Sequence, residues 1–277
     1  MLKSVSIWAL QENDDRPARQ LFAQVRRCGF DGVELAVGET GLVRPDSTYA
    51  DCSQLLKDAG QENIEVTSLA SGMGWKYPLS SPKEGVRTQG LEIQKKALRL
   101  ASWLDVRCLL VVPGMVSAPG AEGPEHVPYD VAYENMQESI RQLIPTAEEA
   151  GVRIGIENVW NNVLLSPLEM REFIDSFESP WVRSYFDVGN CLRTGYAEDW
   201  IRILGERIAG IHFKDYQRHV GTLEGFCPLL EGDANYASVM EELRNIGYDD
   251  ACVAEFFELD PDELRAVSEA MDHIAQM

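Results

Sequence analysis

The segment IAGIHFKD at 208–215 decides the fold, because it is a short apolar run that ends in a histidine, a lysine and an aspartate. Seven more apolar runs of similar length recur along the chain, and their β-branched and aromatic content is typical of buried strands. They are VSIWAL (5–10), GVELAV (32–37), IEVTSLA (64–70), RCLLVVPG (107–114), RIGIENV (153–159), VRSYFDV (182–188) and ACVAEFF (251–257). The sequence therefore predicts eight strands.

Between the predicted strands lie stretches whose apolar residues have helical spacing. Examples are ARQLFAQVRRCG (18–29), QKKALRLASWLD (94–105), NMQESIRQLIPTAEEAG (135–151) and YASVMEELRNIG (236–247). We expect glycines to end several helices, because a left-handed residue is common at that position; these are Gly29, Gly60, Gly151 and Gly247. Other helices are predicted to begin at Ser166-Pro167 and Asp260-Pro261, where proline follows a capping residue.

Alternating strands and helices imply parallel strands that are joined by right-handed crossovers. Eight such units in 277 residues predict the α/β class, as a single (β/α)8 TIM barrel with residues 1–277 forming one domain. An open doubly wound sheet is the alternative. It has less support, because neither G-x-G-x-x-G nor G-x-x-x-x-G-K-[ST] follows a predicted strand.

The composition limits the partners of the protein. No stretch approaches the roughly 20 apolar residues of a membrane span, and the first residues turn polar too early for a signal peptide. We therefore expect a cytoplasmic protein without a membrane partner. The formal net charge of −20 opposes nucleic acid, whose binding depends on Lys and Arg. Six cysteines without a C-x-x-C pair are read as reduced thiols.

Polar side chains stand at the predicted C-terminal ends of the strands, which is where barrel enzymes place their active sites. Four of them are of the metal-ligand type: Glu157, Asp187, His212 and Glu255. Three carboxylates and one imidazole suit Mn²⁺, Mg²⁺, Co²⁺ or Zn²⁺. The alternative is a charge network without a metal, but converging carboxylates repel one another when no cation is present. The sequence therefore predicts one divalent metal ion.

With these motifs the chain resembles the xylose isomerase-like TIM barrels, in particular the sugar phosphate isomerase/epimerase group. The resemblance extends over nearly the whole chain, through GFDGVELA (29–36), GVRIGIEN (151–158), SYFDVGN (184–190), IAGIHFKD (208–215) and EGDANYASVMEELRNIGYDD (231–250) with AEFF (254–257). It implies the same four metal ligands, with Mn²⁺ as the expected ion and Zn²⁺, Co²⁺ or Mg²⁺ as alternatives. It also implies that Glu157 and Glu255 act as the acid/base pair.

The resemblance further implies that Arg218, six residues after His212, contacts the substrate. Two positions depart from the family pattern. Asn190 stands where free-sugar epimerases usually carry histidine, which is closer to the sugar-phosphate branch. Leu230 stands where the family usually has the glycine of L-G-E-G, so the contact with the substrate tail is in doubt.

The residues themselves suggest further substrate contacts. Lys214 and Arg218 are candidate cations for a phosphate or hydroxyl tail, and Glu34 is a candidate partner for a sugar hydroxyl. Trp8 and Trp75 are candidate apolar walls, with core packing as the alternative. His212 is expected to bind metal through one ring nitrogen while an acceptor fixes the other. Asp215 is a candidate for that acceptor or for a helix cap.

The function expected from the resemblance is a metal-dependent ketose or ketose-phosphate 3-epimerase. It would transfer a proton beside a ketone through an enediolate, whose charge the metal would stabilise. A dehydratase of the inosose or dehydroshikimate type would use the same ligands and remains an alternative. An apurinic-site endonuclease is disfavoured by the net charge and the four histidines. The expected partner is a small ketose or ketose phosphate, and a homo-oligomer is compatible with the resemblance.

Overall fold

Eight parallel strands close into a barrel, in which β1 lies between β2 and β10. The computed structural model describes residues 2–10, 16–118 and 126–277. The barrel strands are β1 (Lys3–Ser6), β2 (Gly32–Val37), β3 (Glu65–Ser71), β4 (Cys108–Val111), β5 (Arg153–Glu157), β6 (Val182–Asp187), β7 (Ile208–Phe213) and β10 (Cys252–Ala254). The prediction of a (β/α)8 barrel is confirmed. The short strands β8 (Asp215–Tyr216) and β9 (Phe226–Cys227) form a separate antiparallel pair above β7.

The helices alternate with the strands as the periodicity predicts. They are α1 (Ala18–Arg27), α2 (Tyr49–Gln61), α3 (Glu84–Trp103), α4 (Tyr129–Ala150), α5 (Pro167–Asp175), α6 (Val188–Cys191), α7 (Ala197–Leu204), α8 (Tyr236–Asn245) and α9 (Pro261–Ile274). Ser166 and Asp260 cap α5 and α9 with their side chains, so both predicted helix starts are confirmed. None of the helices within the described residues is long and apolar enough to cross a bilayer.

The glycine prediction is right at three positions and wrong at one. Gly29, Gly151 and Gly247 follow helices with φ values of 96°, 68° and 71°, which is the left-handed region that glycine enters without strain. Gly60 instead lies inside α2. The left-handed residue after that helix is Asn63, with φ of 54°, because asparagine also tolerates this conformation.

Side chains alternate between the interior of the barrel and its outer layer. On β6, Phe186 stacks on Trp200 of α7, while Tyr185 lies in the interior against the ring of His212, at 4.8 Å between centroids. The Tyr185 ring needs Gly210 on the neighbouring strand, because a Cβ there would lie 2.4 Å from the ring. The Tyr185 ring therefore lies across the barrel interior, below the C-terminal ends of the strands.

Candidate metal centre

Four side chains from neighbouring strands meet at the C-terminal mouth of the barrel. Glu157 ends β5, Asp187 ends β6, His212 lies on β7 and Glu255 follows β10. These strands are consecutive in the barrel, and one ligand atom from each side chain lies within 4.8 Å of the others. All four side chains are buried. The structure therefore brings together the four residues that the sequence singled out.

The cluster fits a divalent cation. Three of its buried atoms make no hydrogen bond of good geometry within the described residues, namely Asp187 Oδ2, His212 Nδ1 and Glu255 Oε2, although the ammonium of Lys214 forms ion pairs with both carboxylates. His212 Nδ1 lies 2.9 Å from Glu255 Oε2 and 3.6 Å from Glu157 Oε1. Buried polar atoms normally have partners, and oxygen donors with one imidazole suit Mn²⁺, Mg²⁺, Co²⁺ or Zn²⁺. These residues can hold one such ion.

The local backbone structure orients the Asp187 side chain towards the cluster of candidate ligands. It is the N-cap of α6, and its Oδ1 accepts the backbone N–H of Asn190 at 2.7 Å. The side-chain amide of Asn158 also binds the backbone of Asp187. It accepts the Asp187 N–H at 2.8 Å and donates to the Asp187 carbonyl at 2.8 Å. One carboxylate oxygen is thereby fixed in the cap, and Oδ2 is left facing the cluster.

The two glutamates have opposite electrostatic environments. The pKa of Glu157 is raised to about 7, mainly by burial and also by the charge of Glu255, while the hydrogen bond to His212 lowers it. Burial would also raise the pKa of Glu255, but the charges of Lys214 and His212 hold it below its usual range. The cluster therefore contains one carboxyl group that favours the protonated form and one that favours the ionised form near neutral pH.

Lys214 lies inside the cluster. Its Nζ is 2.5 Å from Glu255 Oε2 and 3.3 Å from Asp187 Oδ2. The ammonium therefore pairs with two of the candidate metal ligands, and its predicted contact with a substrate tail stays a prediction. Lys214 supplies positive charge to these buried carboxylates.

Glu34 is fully buried and contacts His212. Its predicted contact with a sugar hydroxyl stays a prediction. Its Oε1 lies 2.9 Å from His212 Nε2, and its Oε2 accepts the hydroxyls of Tyr185 at 2.6 Å and Ser68 at 2.7 Å. Because a carboxylate accepts, Nε2 of His212 carries a proton and Nδ1 faces the cluster.

Asp215 is neither the acceptor for His212 nor a helix cap. Its two carboxylate oxygens accept backbone N–H groups from Tyr216, Leu230, Gly232 and Ala234, at 2.9 to 3.1 Å. The sequence prediction for this residue is therefore wrong on both counts. Asp215 instead fastens the segment that follows β9 to the end of β7.

The guanidinium of Arg218 donates hydrogen bonds to backbone carbonyls. Its Nε donates to the Leu192 carbonyl at 2.8 Å, its Nη2 donates to the Gly195 carbonyl, and its face lies over the Tyr196 ring. With Nε and Nη2 used in this way, Arg218 holds the loop after α6, and a direct substrate contact stays a prediction. Asn190 likewise donates from Nδ2 to the Asn158 carbonyl at 3.0 Å.

Two tryptophans lie on loops at the mouth. Trp8 follows β1 and stacks on Phe257, at 6.0 Å between centroids, so it lies beside the segment that carries Glu255. Trp75 follows β3 and its side chain is 42% exposed. Their predicted role as walls of a substrate pocket stays a prediction.

Sequence reasoning missed Arg193, which lies six residues after Asp187 in the loop following β6. Its guanidinium lies 4.7 Å from the centroid of the Trp160 ring. Both residues line a cavity of about 170 Å³, between the loops that follow β5 and β6. A cation in the loop after a ligand-bearing strand was a signal that could have identified it.

Comparison with known proteins places the chain in a class of TIM barrels. Residues 22–277 match the family model for the xylose isomerase-like TIM barrel. The chain belongs to this family, and the resemblance inferred from the motifs is confirmed.

The similar proteins include named sugar epimerases. "Putative L-ribulose-5-phosphate 3-epimerase SgbU" of Escherichia coli K12 is 28% identical over 254 aligned residues, which cover 87% of this chain and 83% of that protein. L-ribulose-5-phosphate 3-epimerase UlaE of Salmonella heidelberg is 25% identical, covering 80% of this chain and 76% of that protein. The structure of D-psicose 3-epimerase with D-tagatose, from Clostridium cellulolyticum H10, superposes with a TM-score of 0.82 at 18% identity, covering 100% and 98% of the two chains.

Proposed function

We propose that the protein is a divalent-metal-dependent ketose or ketose-phosphate 3-epimerase. The observation that carries the proposal is the convergence of Glu157, Asp187, His212 and Glu255, whose buried ligand atoms lie within 4.8 Å of one another. The relatives named as L-ribulose-5-phosphate 3-epimerases and the barrel similar to D-psicose 3-epimerase support the substrate class. Mn²⁺ is the expected ion.

Inversion at a carbon beside a ketone needs one group that removes a proton and another that returns it on the opposite face. Glu157 and Glu255 meet this need, because β5 and β10 are separated by β6 and β7 and their carboxylates approach the centre from different sides. In one direction Glu255, which favours the ionised form, takes the C3 proton, and the electron pair moves towards the C2 carbonyl. Glu157, in its protonated form, then donates a proton to C3 on the opposite face.

In the reverse direction the two glutamates exchange roles. The metal, when bound, supplies a Lewis acid that stabilises negative charge on the substrate oxygens, an effect worth several kcal/mol. A positioned carboxylate base adds about 10² to 10⁴-fold in rate. Burial of all four side chains keeps bulk water away from the acid and the base, which strengthens their electrostatic interactions.

The test is a panel of ketoses and ketose phosphates, incubated in D₂O with the Mn²⁺-loaded protein and followed by NMR. We expect deuterium at C3 together with formation of the C3 epimer. Deuterium at C2 of an aldose product would instead indicate an isomerase. Loss of water would indicate a dehydratase, and no exchange with any ketose would overturn the proposal. The Glu258→Gln variant is a control, since this exposed residue lies three positions after Glu255.

A further inference from the structure

Lys214 is a largely buried cation that contacts two of the candidate metal ligands. It directly follows β7, and its side chain is 13% exposed. Its Nζ lies 2.5 Å from Glu255 Oε2 and 3.3 Å from Asp187 Oδ2. Neither of these oxygens makes a hydrogen bond of good geometry within the described residues. The ammonium therefore supplies the counter-charge that a buried carboxylate needs.

The neighbours of Lys214 fix the direction of its side chain. The hydroxyl of Tyr236, a buried residue, donates to the Lys214 carbonyl at 2.8 Å. Gly189 leaves space for the side chain, because a Cβ at that position would lie 2.5 Å from Lys214 Cβ. The ammonium also lies 5.4 Å from the centroid of the Phe226 ring, a distance at which an aromatic face attracts a cation. Packing as well as charge therefore determines where the ammonium lies.

A metal ion and this ammonium require the same oxygen atoms. His212 Nδ1 lies 2.9 Å from Glu255 Oε2 and 3.7 Å from Asp187 Oδ2, so both oxygens face the candidate ligand nitrogen as well as the ammonium. An ion bound to them meets a second positive charge across a single atom, and charges this close repel strongly in a buried site. If the ammonium stays it repels the ion, and if it turns away it loses two buried ion pairs. In either case Lys214 lowers the affinity for a cation.

The same ammonium stabilises the protein when no ion is bound. The carboxylates of Glu157, Asp187 and Glu255 are all buried, and their ligand atoms lie within 4.8 Å of one another and of the imidazole. Burial of like charges without a cation is unfavourable. A lysine held among them offsets this repulsion. Lys214 therefore has two effects of opposite sign, one on the stability of the metal-free protein and one on the affinity for the ion.

We propose that Lys214 is a built-in counter-ion of the metal centre, which weakens metal binding and favours divalent over trivalent ions. The repulsion between the ammonium and an ion increases with the charge of the ion, so a trivalent ion is disfavoured more than Mn²⁺. This inference rests on the metal dependence of the proposed function and deepens it. Lys214 acts through the ligands Asp187 and Glu255, and removal of its charge tightens metal binding.

The test compares two substitutions of Lys214 that differ in charge. Lys214→Gln keeps an N–H donor for the carboxylates but removes the charge, whereas Lys214→Arg keeps the charge. The control is Lys95→Gln, which removes a lysine of α3 that pairs with Glu92 on the outer layer. Affinities for Mn²⁺ and La³⁺ are measured at pH 8 by competition with a chelator. Thermal unfolding of each metal-free protein is followed by circular dichroism.

We expect Lys214→Gln to bind Mn²⁺ about tenfold more tightly or better than the wild type, with a larger gain for La³⁺. Its metal-free form should unfold about 4 °C or more below the wild type, and saturating Mn²⁺ should remove this difference. Lys214→Arg should resemble the wild type. Lys95→Gln should change the Mn²⁺ affinity by less than about twofold, because an exposed ion pair contributes little.

The outcomes separate this inference from a merely structural role and from the proposed function. Weaker Mn²⁺ binding by Lys214→Gln, as expected if the lysine only maintains the shape of the site, would overturn the inference. Equal affinities, equal gains for the two ions or an unchanged unfolding temperature would also overturn it. A metal-free variant that folds only when Mn²⁺ is added supports it. A wild type that binds Mn²⁺ but epimerises no ketose would overturn the proposed function and leave this inference standing.

Discussion

The two halves of the barrel mouth differ in chemistry. The half formed by β5, β6, β7 and β10 carries three carboxylates, an imidazole and the ammonium of Lys214. The other half contributes Trp8, Ala36, Ala70 and Leu110 to an apolar cluster that also includes Tyr185 and Ala209 of the first half. A sugar has polar edges of hydroxyls and apolar patches of C–H groups, so one half can bind oxygen atoms while the other contacts the carbon skeleton. Glu34 is the exception, a charged group on β2 that acts through His212.

The largest effect should follow from changing a glutamate of the charged half. Glu157→Gln and Glu255→Gln each keep the shape of the side chain but remove the carboxylate that exchanges protons. We expect kcat to fall by about 10² to 10⁴-fold, with circular dichroism unchanged. The exposed Glu258→Gln variant should keep normal activity. Near-normal turnover by either active-site variant would contradict the two-carboxylate mechanism.

A smaller effect should follow from Glu34→Gln in the other half. The amide cannot accept hydrogen bonds from His212, Tyr185 and Ser68 together, and it lacks the charge that favours the N–H of the imidazole. Changes of this kind commonly weaken metal binding by about 10- to 100-fold. Chelator competition measures the affinity. The Ser68→Ala variant, which removes one of the three hydrogen bonds, should cause a smaller loss, and equal affinities in all three proteins would show that Glu34 does not orient the ligand.

The charged half should also make metal affinity depend on pH. In the metal-free protein the pKa of Glu157 is raised to about 7. Burial would lower the pKa of His212, but the charges of Glu34 and Glu255 raise it well above its usual value. Ligands must lose these protons before they bind a metal.

The affinity should therefore increase as the pH rises from 6 to 8, by about tenfold per pH unit for each proton released. Isothermal titration calorimetry in buffers of different ionisation enthalpy measures the released protons. The Glu157→Gln variant should have a shallower dependence, because one titrating ligand is absent. A flat profile in the wild type would reject this view of the cluster.

The smallest effects are expected for two glycines, one from each half of the barrel. The sequence predicted both of them at helix ends. Gly60→Ala lies in the last turn of α2, one residue before its end, with open space around the added methyl group, so it should stabilise the protein by about 0.4 to 1 kcal/mol. Gly151→Ala, before β5, must adopt a φ of 68° and should destabilise it by about 1 kcal/mol. Urea unfolding midpoints measure both, and shifts of the same sign would contradict the assignment.

Much of the fold could be predicted because the strands of a parallel barrel are buried on both faces. Such strands are continuous apolar runs, and GVELAV at 32–37 coincides with β2. The candidate metal ligands could be predicted for a related reason. A charged residue at the end of an apolar strand is rare without a partner, and Glu157, Asp187 and His212 each stand out from such a run.

The roles of Glu34 and Tyr185 could not be predicted, because they depend on irregular pairing. The register between β2 and β3 shifts between Val33 and Glu34, and the register between β6 and β7 shifts between Ser184 and Tyr185. Bulges of this kind change the direction of the side chains that follow. These two side chains then meet across the barrel at 2.6 Å, and no periodicity in the sequence indicates such a meeting.

The roles of Arg218 and Asp215 were also missed for a physical reason. Both bind backbone atoms of distant loops, and backbone carbonyls and amides are the same at every residue type. A motif can indicate that an arginine or an aspartate matters, but only the path of the loop decides whether it binds a ligand or the chain itself.

The backbone hydrogen bonds of Asp215 affect which segment of this barrel can be replaced. One side chain fastens Tyr216 at one end of a segment and Leu230, Gly232 and Ala234 at the other. Apart from Arg218, which holds the loop after α6, the residues between these anchors can therefore vary in length and sequence while the strand that carries His212 stays undisturbed. This stretch is a natural place to graft a loop from a related barrel, in order to exchange one substrate preference for another.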